Sequence, residues 1–123
     1  MKNLRRVIPG VLCLTVAWCL VAATPRAQDP TQAAASNFKV LLENDRVRVL
    51  DFHGKAGEKI AMHSHPAYIS YQVSGSGKTT FTSPDGKTTE REARPGQALW
   101  HEAETHSSES SGAVHALLIE LKK

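Results

Sequence analysis

The stretch GEKIAMHSHPAYISYQVSG, from Gly57 to Gly75, decides the reading of this chain. Successive side chains of an extended strand point to opposite faces, so His63 and His65 share one face. Glu58 to His65 is expected to be that strand, with both imidazoles near its end. Pro66-Ala67 breaks it, because proline cannot donate to a central ladder. Tyr68 to Val73 carries Ile, Val and two Tyr, all strong strand formers, and is expected to follow as a second strand. His106, on a distant segment, offers a third imidazole. Neutral imidazole is the commonest protein ligand for mid-row transition metals, so His63, His65 and His106 are the candidate metal ligands. With six histidines in 123 residues, one His-x-His pair is not decisive alone. The surrounding pattern decides in favour of a metal.

Outward from this stretch, the chain is a series of short β signals. Phe38 to Leu42 is extended and apolar, and Asn44-Asp45 marks a turn. Arg46, Arg48, Leu50 and Phe52 share one face of the next strand, with Val47, Val49 and Asp51 on the other. His53 to Gly57 is a turn cluster. Ser74 to Gly77 turns the chain again. Ser83-Pro84-Asp85-Gly86 is a hairpin turn between Lys78–Thr82 and Lys87–Ala93. Arg94-Pro95-Gly96 precedes a short strand at Gln97–Trp100, Glu102 to Thr105 is expected as a corner, and Val114 to Leu121 closes the chain. No segment sustains a 3.6-residue period. The expected fold class is all-β, a sandwich or barrel of short strands.

The amino-terminal segment reads differently. Lys2, Arg5 and Arg6 precede an apolar run from Val11 to Ala23 of about 13 residues, shorter than the ~20 that span a membrane. Residues 1–23 are expected to be a signal peptide cut after Ala23, in preference to an uncleaved anchor. Lipidation at Cys19 is disfavoured by the bulky Trp18 before it. Residues 24–37, rich in Ala, Gln and Pro, are expected as a flexible linker, and residues 38–123 as one domain. The expected location is therefore periplasmic or secreted. Both cysteines, Cys13 and Cys19, fall in the leader, which leaves no thiolate ligand, disulfide or Cys nucleophile. Three of the 15 Lys+Arg also fall there, and the remaining 12 balance the 12 Asp+Glu. No basic, aromatic-interleaved patch suggests a nucleic-acid partner. No Gly-x-Ser-x-Gly elbow, phosphate loop or paired-carboxylate signature is present.

These residues resemble the cupin family. Its first motif is matched by Gly57, then His63-Ser64-His65 after five residues, then Gly75. Its second motif is matched by Pro95-Gly96, a strand ending at Trp100, and His106. The resemblance covers Val47 to Leu121 and implies a cupin-type double-stranded β-helix, or jelly-roll barrel. It also implies one bound divalent transition metal, with Fe, Zn, Mn, Ni and Cu all compatible with three imidazoles. The family's acidic ligand is missing. No Asp or Glu lies between Pro66 and Val73, and Tyr68 falls at the acid's position. His101 and Ala103 replace the Pro and Gly of the second motif. Gln72 and His101 are candidates for additional ligands, and Tyr68 and His101 for catalytic roles.

A three-His site leaves the metal its full charge and favours small anionic or oxygen-rich ligands. Some three-His cupins are iron(II) dioxygenases, so a dioxygenase-like metal-dependent oxidation is one expectation. A non-catalytic domain that binds or senses a metal or small molecule is the alternative. The expected partners are a small-molecule ligand and a second copy of the chain, with no membrane contact after leader cleavage. Of the remaining polar residues, His101 is expected at the surface and His53 and His115 as ordinary strand residues. Arg46 and Arg48 are expected at a surface or edge, Glu102 and Glu104 in a solvated corner, and Lys87 to Glu92 in a solvated hairpin. Ser107 to Ser111 is expected to line a wet barrel mouth.

Overall fold

A computed structural model describes residues 28–123. The expected leader, residues 1–23, lies outside the described residues. Helix α1 is one turn, Pro30–Ala33. Nine strands follow: β1 Phe38–Glu43, β2 Val47–Gly54, β3 Lys59–His65, β4 Tyr68–Gly75, β5 Lys78–Thr82, β6 Thr88–Glu92, β7 Ala98–His101, β8 Glu104–Ser110 and β9 Val114–Leu121. They form a five-stranded sheet, β1-β2-β9-β4-β7, and a four-stranded sheet, β3-β8-β5-β6. Every paired ladder is antiparallel.

Period-two alternation places the core between the sheets. On β9, Ala116, Leu118 and Glu120 point inward and are buried. On β2, Leu50 is fully buried, with Phe52 packed against the same cluster. Phe38, Ile60, Tyr68 and Ala34 complete the apolar interior. This core is small, and much of the remaining interior is polar. His63, His65, His101, His106, Ser110 and Glu120 are all buried.

Two expectations about chain organisation change. The corner expected at Glu102–Thr105 is shorter, because Glu104 and Thr105 already pair with His65 and Ser64 in the β3–β8 ladder. The described part of the expected linker, residues 28–37, is docked on the barrel. Asp29 caps α1 by accepting the Thr31 N–H at 2.9 Å. Pro30 and Ala34 are buried beneath this turn. Gln28 bridges to His63 as a short parallel pair, and its carbonyl accepts the Ser64 N–H at 3.0 Å. Proline at the first helical position and aspartate at the cap favour such a turn, although its composition resembles a linker.

Candidate metal centre

Strands β3 and β8 bring the three histidines together. His63 and His65 lie two apart on β3, and His63 sits directly opposite His106 on β8. The register slips between Ile60 and His63, an irregularity of the kind that re-aims side chains beside functional sites. His63 is 1 % exposed, His65 4 % and His106 5 %. One ligand nitrogen from each lies within 4.8 Å of the other two. The rings meet edge to face, with centroids 4.8 Å apart for His63–His65 and 4.9 Å for His63–His106.

The hydrogen bonds around the rings decide which nitrogens are free. His63 Nδ1 donates to the Ala61 carbonyl at 2.6 Å. A carbonyl only accepts, so the proton sits on Nδ1 and the Nε2 lone pair is left open. His65 Nδ1 donates to Glu120 Oε1 at 2.7 Å. Its Nε2 is buried and has no hydrogen-bond partner. Orphaned buried polar atoms are rare and call for an occupant. His106 Nδ1 is also buried without a hydrogen-bond partner, 3.4 Å from Glu104 Oε1. Burial pushes the pKa of His63 down to about 4, so its imidazole is neutral at ordinary pH. A neutral ring tied at one nitrogen and open at the other is the form that ligates a metal. The donor set therefore fits a divalent transition ion.

Behind His65 runs a chain of buried charges. Glu120 Oε2 accepts from Arg48 Nε at 2.7 Å and from a terminal Arg48 nitrogen at 2.6 Å. The same terminal nitrogen reaches Asp29 Oδ2 at 2.7 Å. Burial opposes ionisation of Asp29, but the bonds from Arg48 and Thr31 together outweigh it and hold the carboxyl below its usual range. Asp29, Arg48, Glu120 and His65 thus form one connected line from the helix cap to the centre. Arg48, expected at the surface, turns inward on the same face as Leu50 and Phe52. Its guanidinium is stable there because two carboxylates meet it.

A second carboxylate approaches from β8. Glu104, expected to be solvated, lies two residues before His106 and faces the interior. Its Oε1 accepts the Tyr68 hydroxyl at 2.6 Å and lies 3.5 Å from His101 Nδ1. The neighbouring His101 ring, then His106 and Tyr68, hold the Glu104 carboxyl well below the ordinary carboxylate range. Burial, followed by the Glu104 charge, pushes the Tyr68 phenol up. Tyr68 therefore acts as a protonated donor to Glu104, and an acid from another strand stands behind the tyrosine found where an acidic ligand was expected.

The other candidate residues are also placed. His101, expected at the surface, is buried, with its ring stacked on Tyr68 at 4.3 Å and 6°. Its Nε2 lies 2.8 Å from Ser70 Oγ. Gln72 lines the cavity, but its amide nitrogen donates to the Ser74 carbonyl at 2.6 Å. The cavity has a volume of about 270 Å³, and Phe38, Phe52 and Phe81 form apolar walls around the histidines. Arg91 and Arg94 line it as well. Arg91, read from the sequence as part of a solvated hairpin, lies over the Phe81 ring at 4.8 Å. Trp100 is 54 % exposed and bonds Glu102 at the surface, outside the barrel lining.

Comparison with solved structures agrees with this architecture. The chain is similar to a cupin domain from Bordetella pertussis Tohama I, with a TM-score of 0.61 and 21 % identity over 70 % of this chain and 92 % of that one. It is similar to a cupin superfamily protein from Desulfitobacterium hafniense DCB-2, with a TM-score of 0.53 and 20 % identity over 70 % and 76 % of the two chains. It is also similar to a cupin family protein with a double-stranded β-helix fold from Methanocaldococcus jannaschii, with a TM-score of 0.54 and 12 % identity over 69 % and 78 %. No protein-family model and no curated protein matches the chain. With two antiparallel sheets closed around a histidine-lined interior, the chain has the cupin fold.

Proposed function

We propose that this protein is a metal-binding cupin domain in which His63, His65 and His106 hold one divalent transition ion and the barrel admits a small anionic or oxygen-rich molecule beside it. The observation that carries this reading is the orphaned, buried Nε2 of His65, whose Nδ1 is tied to Glu120, beside His63, whose Nδ1 is tied to the Ala61 carbonyl. Fe, Zn, Mn, Ni and Cu all suit such a donor set. The bound ion supplies a Lewis acid with open positions for oxygen ligands. Arg91 and Arg94 supply positive charge for an anion, and the three Phe rings limit the water that can compete. A volume near 270 Å³ suits a molecule smaller than a typical drug-sized ligand.

Within this proposal, binding is favoured over turnover. Tyr68 and His101 are the candidates for proton transfer, and both already spend their polar atoms on Glu104 and Ser70. The dioxygenase-like reading requires that one of them be released when a ligand enters. The expected leader extends the proposal to a periplasmic or secreted location, which cell fractionation tests.

The decisive experiment is elemental analysis of protein purified from its native compartment, followed by oxygen-consumption assays with small carboxylates. We expect stoichiometric metal, with the equivalent held in the barrel lost in His63→Ala. Tight metal without oxygen consumption supports the binding reading. Oxygen consumption that disappears in His63→Ala supports the dioxygenase. Protein that takes up no stoichiometric metal under any loading condition refutes both.

A further inference from the structure

A second group of metal-competent side chains lies on the opposite surface of the barrel wall. Asp51 and His53 are two residues apart on β2 and face outward, whereas Leu50 and Phe52 face the core. His115 on β9 sits directly opposite His53 in the β2–β9 ladder. This repeats the construction of the barrel centre, where an i, i+2 pair on one strand meets a histidine paired to it across the ladder. The His53 and His115 rings stack with centroids 4.0 Å apart at 17°. Both turn Nε2 toward one carboxylate, His115 at 2.7 Å from Asp51 Oδ1 and His53 at 3.2 Å from Oδ2.

Three features favour a ligand over a purely structural cluster. One ligand atom from each residue lies within 4.8 Å of the others. Two imidazoles and one carboxylate around a cation place their donor atoms roughly 3 Å apart, given bonds of about 2.0–2.2 Å, so small side-chain rotations suffice. The group is also reachable from solvent, with side-chain exposures of 61 % for His53, 29 % for His115 and 21 % for Asp51. Lys39 faces Asp51 across the β1–β2 ladder, but among the described residues the Asp51 carboxylate bonds the two histidines. The groove beside the group is lined by Asn37, Lys55, Glu58 and Ser74, which leaves room for water as further ligands.

We propose that Asp51, His53 and His115 form a second divalent transition-metal site, able to take zinc or copper(II), that fills independently of the barrel centre. Mixed imidazole and carboxylate donors suit those ions, and an exposed position permits exchange with free metal. The site therefore binds more weakly and exchanges faster than the enclosed one.

Chelator-competition titration of the purified protein with Zn²⁺ tests this, together with His53→Ala/His115→Ala and His63→Ala/His106→Ala double variants. Two equivalents are expected in the parent and one in each variant. The milder His53→Gln, at an exposed position, weakens the second equivalent at least tenfold and guards against misfolding of the double variant. Cu²⁺ bound to His63→Ala/His106→Ala should show an electron paramagnetic resonance signal split by two nitrogens. A single equivalent lost only with His53 and His115 supports this site and counts against the barrel centre. A single equivalent lost only with His63 and His106, no equivalent at all, or a copper signal without nitrogen coupling overturns the proposal.

Discussion

Replacing Glu120 with Gln probes the link between the buried charges and the metal centre. The substitution keeps size and shape but removes a charge at a residue that is 1 % exposed. Glu120 uses one oxygen for His65 at 2.7 Å and the other for Arg48 at 2.7 and 2.6 Å. Glutamine has only one acceptor oxygen, so either His65 Nδ1 or Arg48 must face an NH₂ group. Breaking a buried charge pair costs about 3–5 kcal/mol, and Asp29 remains to partner Arg48, so about 3 kcal/mol is expected. For a domain of this size each kcal/mol lowers the melting temperature by about 4–8 °C, which gives a drop of at least ~12 °C in the metal-free protein. A residue that orients a ligating histidine also contributes about 10–100-fold to metal affinity. At 1.4 kcal/mol per factor of ten, that is about 1.4–2.8 kcal/mol of binding. Circular dichroism melts measure the first effect and chelator competition the second. A variant that folds and binds metal within threefold of the parent would refute the assignment of Glu120 as the orienter of His65.

His106→Ala removes one of the three ligands, and titration should show the enclosed equivalent weakened by at least a hundredfold while circular dichroism keeps its β-sheet signature. Stability of the metal-free protein should depend on pH through His63, whose pKa is about 4 folded against 6.5 for the free side chain. As pH falls the unfolded chain takes the proton first, so the contribution is complete above about pH 6.5 and is lost towards pH 4, about 3 kcal/mol in all. Urea unfolding at pH 7 and 4.5 measures this, and a His63→Gln variant with the same slope as the parent would contradict it. Tyr68→Phe leaves Glu104 without its shortest donor and should cost about 1–3 kcal/mol in urea unfolding.

Much of the fold was legible because it rests on local pattern. Alternation placed the strands, and Gly and Pro placed the turns. His63 and His65 were legible from strand parity, and His106 from its place after Pro95-Gly96 in the cupin-like second motif; their pairing across the ladder came from the structure. The supporting carboxylates were harder to read. Glu104 looked like a corner residue, yet it lies two before His106, and the parity that joined His63 to His65 also puts Glu104 and His106 on one face. Glu120 is the lone acid in the apolar run Val114–Leu121, at the same parity as Ala116 and Leu118. An inward acid requires a cationic partner, and Arg48 stands at the matching parity on β2. Their pairing depends on the β2–β9 register, Arg48 opposite Glu120, which no local pattern specifies. The docked turn at residues 29–34 was missed because a small-residue segment buries little by itself and holds only through the contacts that receive it.

That docked turn means that the barrel and the metal centre have different amino-terminal limits. A chain started at Phe38 would keep every strand of both sheets. It would lack the Gln28 backbone that braces His63 and Ser64, and the Asp29 carboxylate that shares Arg48 with Glu120. Its sheets would be whole and its histidines would be held from one side only. A piece that carries the complete centre must include Gln28 and Asp29, and proteolytic trimming just beyond Asp29 would alter metal affinity without removing a histidine ligand. The ten residues before the first strand belong to the chemistry of the protein as much as the strands that bear the histidines.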